Sequence, residues 1–237
     1  MSDAILDCPS PNFDDRVLPV SIIVLHYTGM TDAASAIQRL TDPAAKVSSH
    51  YLIAEDGQVL RLVAENKRAW HAGKAHWRGI DDVNSASIGI ELVNPGHEFG
   101  YRPFAEPQMS ALLPLMKDLV DRHHITRGNI VGHSDVAPAR KTDPGELFDW
   151  ERLARLRLAL PRPRRYLTDP HWTDGGFLLA LERFGYDVID GQAAVRAFQR
   201  RFRPGTVDGI IDGECRAVLL SLLTGGDKGA EARQRAG

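Results

Sequence analysis

The run Ile22-Ile23-Val24-Leu25 is apolar without a break and stops at His26, which predicts a strand buried on both faces over 21–26. Thr31-Asp32-Ala33 then carries a helix start signal, and the pattern holds to about Leu40 before Asp42-Pro43 ends it. Tyr51-Leu52-Ile53 and Val59 to Val63 flank Glu55-Asp56-Gly57-Gln58, whose Asp-Gly pair predicts a hairpin. Residues 64–86 have little periodicity and read as a long loop. Ser87 to Val93 returns to an apolar run and predicts a strand in the middle of a sheet. Helical spacing over 107–123 puts Met109, Leu112, Leu113, Met116, Leu119 and Val120 on one side, with Pro114 predicting a kink. Ile130-Val131 predicts a short strand leading to His133, and Trp150 to Leu160 a further helix.

This alternation predicts an α/β unit over 21–160, a mixed central β-sheet flanked by helices. Before it, Pro9, Pro11 and Pro19 predict an irregular N-terminal arm over 1–20. After it, Pro161-Arg162-Pro163-Arg164-Arg165 reads as a linker over 161–165. Helical spacing in Phe177–Phe184, Gln192–Phe202 and Glu214–Leu223 then predicts a small three-helix unit over 166–224. The tail over 225–237, rich in Gly, Ala and charge, is expected to be disordered.

Composition changes this picture little. A chain of 237 residues, 43% hydrophobic and 25% charged, can bury ordinary globular cores. A net charge of −2 gives no reason to expect nucleic acid as a partner. Cys8 and Cys215 lie at opposite ends and offer no metal-knuckle spacing. The first residues lack the basic and apolar regions of a secretory signal, and no apolar run reaches the roughly 20 residues of a membrane span. The expectation is a cytoplasmic protein with no membrane insertion.

The chemistry concentrates in Gly132 to Gly145, where His133, Lys141 and Asp143 share one loop punctuated by proline and glycine. His26 stands upstream at the end of its own predicted strand. Two imidazoles and a carboxylate make a three-ligand zinc set that leaves a position for water. Asp143 has the alternative of a turn residue before Pro144, and Asp135 is a competing carboxylate close to His133 in sequence. Glu91 lies within the apolar strand Ile88-Gly89-Ile90-Glu91-Leu92-Val93. Burying it costs several kcal/mol, roughly, unless it finds a partner or a solvent-lined cavity. Beside such a site it would serve as general base; otherwise it points out from the exposed side of the strand. Lys141 would offset charge on an oxyanion, or else be solvated.

Five segments carry a resemblance: Leu25-His26-Tyr27-Thr28, Ser48 to Ile53, Ala69-Trp70-His71-Ala72-Gly73, Asn84 to Glu91, and 132–145. Over about 20–155 the chain resembles the zinc-dependent N-acetylmuramoyl-L-alanine amidases, which share their fold with phage lysozyme-type amidases and peptidoglycan recognition proteins. The resemblance implies one zinc ion per chain held by His26, His133 and Asp143, with Glu91 activating water and Lys141 stabilising the oxyanion. The bond cut would join the lactyl group of N-acetylmuramic acid to L-alanine. The resemblance also implies groove residues Trp70 and His71, a peptide-binding Asn84, and His50 near the metal. His76, His97, His123, His124 and His171 lie in no motif and read as ordinary residues. Gly191 to Phe202 followed by Val207-Asp208-Gly209 resembles the peptidoglycan-binding three-helix domain, with Val195 and Phe198 in its core. Expected partners are peptidoglycan fragments, in particular soluble 1,6-anhydromuropeptides. The rivals are a recognition protein without turnover, an endopeptidase acting within the stem, and a structural zinc site with four protein ligands.

Overall fold

In a computed structural model, described here over residues 5–163 and 168–225, the chain forms a mixed sheet with helices on both faces. The N-terminal segment contributes β1 (Leu6–Asp7) and β2 (Phe13–Asp15). The predicted apolar run forms β3 (Ile22–Tyr27), and α1 (Ala33–Thr41) follows, its Asp32 side chain accepting from the Ser35 N–H. The hairpin is β4 (Tyr51–Ile53) and β5 (Val59–Arg61). Then come β6 (Lys67–Ala69), α2 (Val83–Ala86), β7 (Ser87–Leu92), α3 (Gly96–Phe99) and α4 (Glu106–His123). Strand β8 (Ile130–Gly132) leads directly into α5 (His133–Val136), and α6 (Trp150–Arg155) closes this half. The last elements are α7 (Asp174–Phe184), α8 (Gly191–Phe202) and α9 (Gly213–Gly225).

The main sheet has the order β1-β5-β4-β7-β3-β8, and β2 pairs with β6 in a separate ribbon. Strand β3 runs parallel to both β7 and β8, and β4 runs parallel to β7. The register is what places the chemistry: His26 lies opposite Glu91, and Leu25 opposite Gly132, one residue before His133. These positions fall at the carboxyl ends of three adjacent parallel strands, where open α/β sheets bind ligands.

Side chains alternate across the sheet with period 2. Ile23, Leu25, Ile88, Ile90 and Leu92 enter one core with Met109, Leu112, Leu115, Met116 and Leu119 of α4. Ile22, Val24 and Val131 enter a second core with Phe177, Phe198 and Phe202 of the C-terminal helices. By the same alternation His26, Gly89 and Glu91 belong to this second face. The C-terminal helices thus share a core with the sheet. Within them Gln199 is fully buried; its amide donates to Asp208 and to the Ile210 carbonyl and accepts from Gly209 N–H, which ties the helix to the Asp-Gly turn. Val195 and Phe198 are buried.

Several expectations need correction. Residues 5–20 are not an irregular arm. Besides forming β1 and β2, they bury Ser10, which donates to Leu40 O at 2.6 Å, and Asn12, which donates to the carbonyls of Asp42 and Val47. Proline excludes a ladder donor only at its own position, so a short strand fits before Pro9 and another between Pro11 and Pro19. The stretch 64–86 contains a strand and a helical turn. Helix α6 stops at Arg155, and Arg157 has φ of 61°, outside helical space. In α4 the buried stripe includes Gln108 and Leu115, while Leu113 and Val120 are only partly covered. Pro114 faces outward, where the carbonyl that its ring leaves without a donor meets water. Part of the expected linker (164–165) and the tail beyond Gly225 lie outside the described residues. Among the described residues no helix is long and apolar enough to cross a membrane.

Candidate functional site

At the carboxyl ends of β3, β7 and β8 a cleft opens, lined by His26, Tyr27, Glu91, His133, Lys141 and Asp143. His26 Nδ1 lies 2.9 Å from His133 Nδ1 and 3.1 Å from Asp143 Oδ2. The third side of the triangle, His133 Nδ1 to Asp143 Oδ2, is 3.0 Å. All three residues are buried. A tetrahedral zinc ion with bonds of about 2.0–2.2 Å sets its donors about 3.3 Å apart, so this triangle fits such an ion with little adjustment. Asp135 is not in the cluster; both its oxygens face the other way, as described below.

The protonation states also suit a metal. Burial, and then the neighbouring His133, lower the His26 imidazole to about 4, which keeps it a neutral donor. Burial alone would raise the Asp143 carboxyl, but His133 and His26 together hold it well below the ordinary carboxylate range. The far ring nitrogens are engaged as well. His133 Nε2 lies 3.1 Å from the Ala72 carbonyl, an acceptor only, so it carries the proton and leaves the Nδ1 lone pair facing the cluster. His26 Nε2 lies 3.1 Å from His71 Nδ1, and His71 Nε2 lies 3.2 Å from Ser87 Oγ. The Ser87 hydroxyl donates to Val83 O at 2.5 Å. Each donor in this chain points away from the cluster, which assigns the His26 lone pair to it.

His71 therefore backs His26 as well as lining the cleft. Room for its ring comes from Gly89, where a Cβ would stand 2.5 Å from His71 Cγ. Gly89→Ala is expected to destabilise the fold by about 1–3 kcal/mol, as overpacking a core does, and to weaken metal binding by displacing His71. Thermal melts with and without zinc read both effects.

Glu91 sits opposite His26 with its Oε2 buried and, among the described residues, without a hydrogen-bond partner. Burial, and then the charge on Asp143, push its carboxyl well above the usual range, and Lys141 partly opposes this. An unsatisfied, desolvated carboxyl on a cleft wall is chemically able to exchange a proton. Lys141 lines the same cleft.

His50, expected near the metal and at the substrate, and Asn84, expected at the peptide, are not among the residues lining the cleft. His50 is fully buried; its Nδ1 accepts from Gly89 N–H at 2.9 Å, and its Nε2 lies 3.1 Å from the Lys67 carbonyl. Burial lowers its imidazole to about 3. Asn84 uses its carbonyl oxygen to accept from the backbone N–H groups of His71 and Ala72. Both residues hold the floor beneath the site. Trp70 does line the cleft, and its indole N–H donates to Asp14 of β2 at 2.7 Å.

Sequence reading missed the rim. The Tyr27 hydroxyl lies 3.0 Å from both Thr142 Oγ1 and His97 Nδ1. His97 stacks on Tyr101 with centroids 4.3 Å apart, and Tyr101 donates to Pro144 O at 2.7 Å. These rings fix the loop that carries Lys141 and Asp143. Arg140 ties that loop to the opposite wall by donating to the carbonyls of Ala72 and Lys74. The only local signal was Tyr27 directly after His26.

Comparison with known proteins adds an independent line. The family model for N-acetylmuramoyl-L-alanine amidase matches residues 16–146. The N-acetylmuramoyl-L-alanine amidase AmiD of Escherichia coli is 40% identical over 230 residues, covering 86% of this chain and 82% of that protein. Its solved complex with anhydro-N-acetylmuramic acid-L-Ala-D-gamma-Glu-L-Lys superposes with a TM-score of 0.79 at 37% identity, covering 89% of this chain and 92% of that one. AmpDh3 from Pseudomonas aeruginosa, solved with an anhydromuramic pentapeptide, gives a TM-score of 0.73 at 34% identity, covering 85% and 90%.

Proposed function

The chain belongs to the N-acetylmuramoyl-L-alanine amidase family, and on that premise we propose a zinc-dependent enzyme acting on muropeptides, including the 1,6-anhydro form. The carrying observation is the convergence of His26, His133 and Asp143 beside the unpartnered oxygen of Glu91. His26, His133 and Asp143 would hold the zinc ion, which supplies Lewis acidity towards the amide carbonyl and lowers the pKa of an attacking water. Glu91 takes a proton from that water and returns it to the nitrogen of L-alanine as the amide breaks. The Lys141 ammonium compensates the negative charge that grows on the carbonyl oxygen. Trp70 and Tyr27 form the walls against which the substrate lies. The two relatives solved with anhydromuropeptides support the substrate class.

We place the catalytic unit at 21–160, extended by the residues of the N-terminal segment that pack on it, and the three-helix unit at 166–224. Peptidoglycan binding by the latter rests on its sequence resemblance. A cytoplasmic site of action is proposed from the sequence alone; the two free thiols, Cys8 and Cys215, decide little about it. Mass spectrometry of products from anhydro-N-acetylmuramyl-L-Ala-D-γ-Glu-L-Lys tests the reading. Intact anhydro-sugar and a free peptide headed by L-alanine are expected, and both vanish with a chelator. Cleavage within the stem makes the protein an endopeptidase; binding without cleavage makes it a recognition module.

A further inference from the structure

Asp135 lies two residues after His133 and is 1% exposed. One of its oxygens accepts from the Gly132 N–H at 2.7 Å and from Arg201 at 3.0 Å. The other accepts from the Tyr186 hydroxyl at 2.6 Å. Arg201 belongs to α8, and Tyr186 follows α7. Arg201 is itself buried, lies 3.9 Å over the Trp150 ring, and donates at 2.7 Å to the carbonyl of Ile130. It therefore grips the chain on both sides of His133: at Ile130 where β8 begins, and at Asp135 in the turn that ends it. A buried charge without its partner is costly, so Asp135 stays where Arg201 holds it.

We infer that Arg201, delivered by the C-terminal helices, is a positioning residue for the metal ligand His133, acting through Asp135 and the Ile130 carbonyl. The C-terminal unit is in this respect part of the amidase and not only an appendage that binds substrate. Arg201 and Tyr186 are not members of the metal cluster; they set the angle at which the junction of β8 and α5 presents the His133 imidazole. Ligands held slightly off their productive geometry lose affinity, and partners one shell removed typically change metal binding by about 10–100-fold.

Cobalt(II) serves as the probe, since its d–d absorption reports ligand geometry and its titration gives an affinity without any turnover. Arg201→Met retains bulk over Trp150 and removes the grip. It is expected to shift the d–d bands and to weaken cobalt binding by about tenfold or more. Phe177→Leu, in the same core and fully buried, is the control: it lowers the melting temperature but keeps the wild-type spectrum and affinity. Unchanged bands and affinity in Arg201→Met overturn the inference, as does an equal change in Phe177→Leu. If Arg201→Met does not fold, Tyr186→Phe takes its place, removing one hydrogen bond to Asp135. About two- to tenfold weaker binding is then expected, and wild-type binding overturns the inference. The inference rests on the metal reading of the site. A wild-type protein that takes up no cobalt sinks both; equal uptake by wild type and variant sinks only this one.

Discussion

Replacing Glu91 by glutamine is expected to lower kcat by about 10²–10⁴-fold, the span that a positioned general base contributes, with metal content unchanged. The side chain is isosteric, so β7 keeps its packing, and none of the three cluster residues is altered. What disappears is the capacity to take up and release a proton beside the amide. Stability gives a second readout. In metal-free protein the Glu91 carboxyl is raised well above its ordinary value by burial and then by Asp143. The folded state thus holds its proton more tightly than the unfolded chain does. That contribution is fully present below the unfolded pKa, about 4.3, and is lost as pH rises through the higher folded value. Wild type should therefore lose stability relative to Glu91→Gln as pH climbs. Denaturant melts of both proteins at several pH values measure this difference. A variant with wild-type kcat would move the role of base to another residue.

Loss of Asp143 is expected to have a comparable effect by a different route. It is the only carboxylate of the cluster, and without it two imidazoles 2.9 Å apart remain. Asp143→Ala should weaken zinc binding beyond the roughly 100-fold upper range of outer-shell changes, leaving no measurable turnover at micromolar zinc. Metal that binds only the folded protein adds about 4 kcal/mol when free metal is a thousand times Kd. Wild-type melting temperature should accordingly rise with added zinc and fall with a chelator, and the variant should show neither shift. Zinc-dependent melting retained in Asp143→Ala would remove Asp143 from the ligand set.

His26, His133 and Glu91 were legible in the sequence because each follows or interrupts an apolar run. A parallel strand whose apolar run stops at a polar residue places that residue at the carboxyl end of the strand, and the β3 and β7 register does the rest. Asp143 was legible from its loop. The direction in which a motif residue points was not. His50 and Asn84 sit in the same sequence blocks as the site, yet they turn inward to satisfy backbone donors at Gly89, His71 and Ala72. Spacing does not show which backbone group will lack a partner after folding. The Asp135–Arg201 contact was hidden for a related reason, since 66 residues separate its ends and neither lies in a periodic pattern that implies the other. The strands within 5–20 are not legible because three prolines mask them, and Ser10 and Asn12 become buried only through carbonyls of residues 40–47 that the fold brings against them.

Arg16 makes that last point practical. From a segment that looks expendable, it donates to the carbonyls of Glu65, Lys67 and Ser85, and its guanidinium lies 2.9 Å from His50 Nε2. It is a pin driven through three strips of chain, those around His50, 65–67 and Ser85, and adds to the fewer direct ties between them, such as His50 to the Lys67 carbonyl and Arg68 to Asp82. A minimal enzyme cut from this protein for biotechnology therefore starts upstream of Ser10 and not at the first long strand. Deleting those few residues would unfasten the floor under the cleft while leaving every reactive group in place, and the product would pass a motif search and fail at the bench.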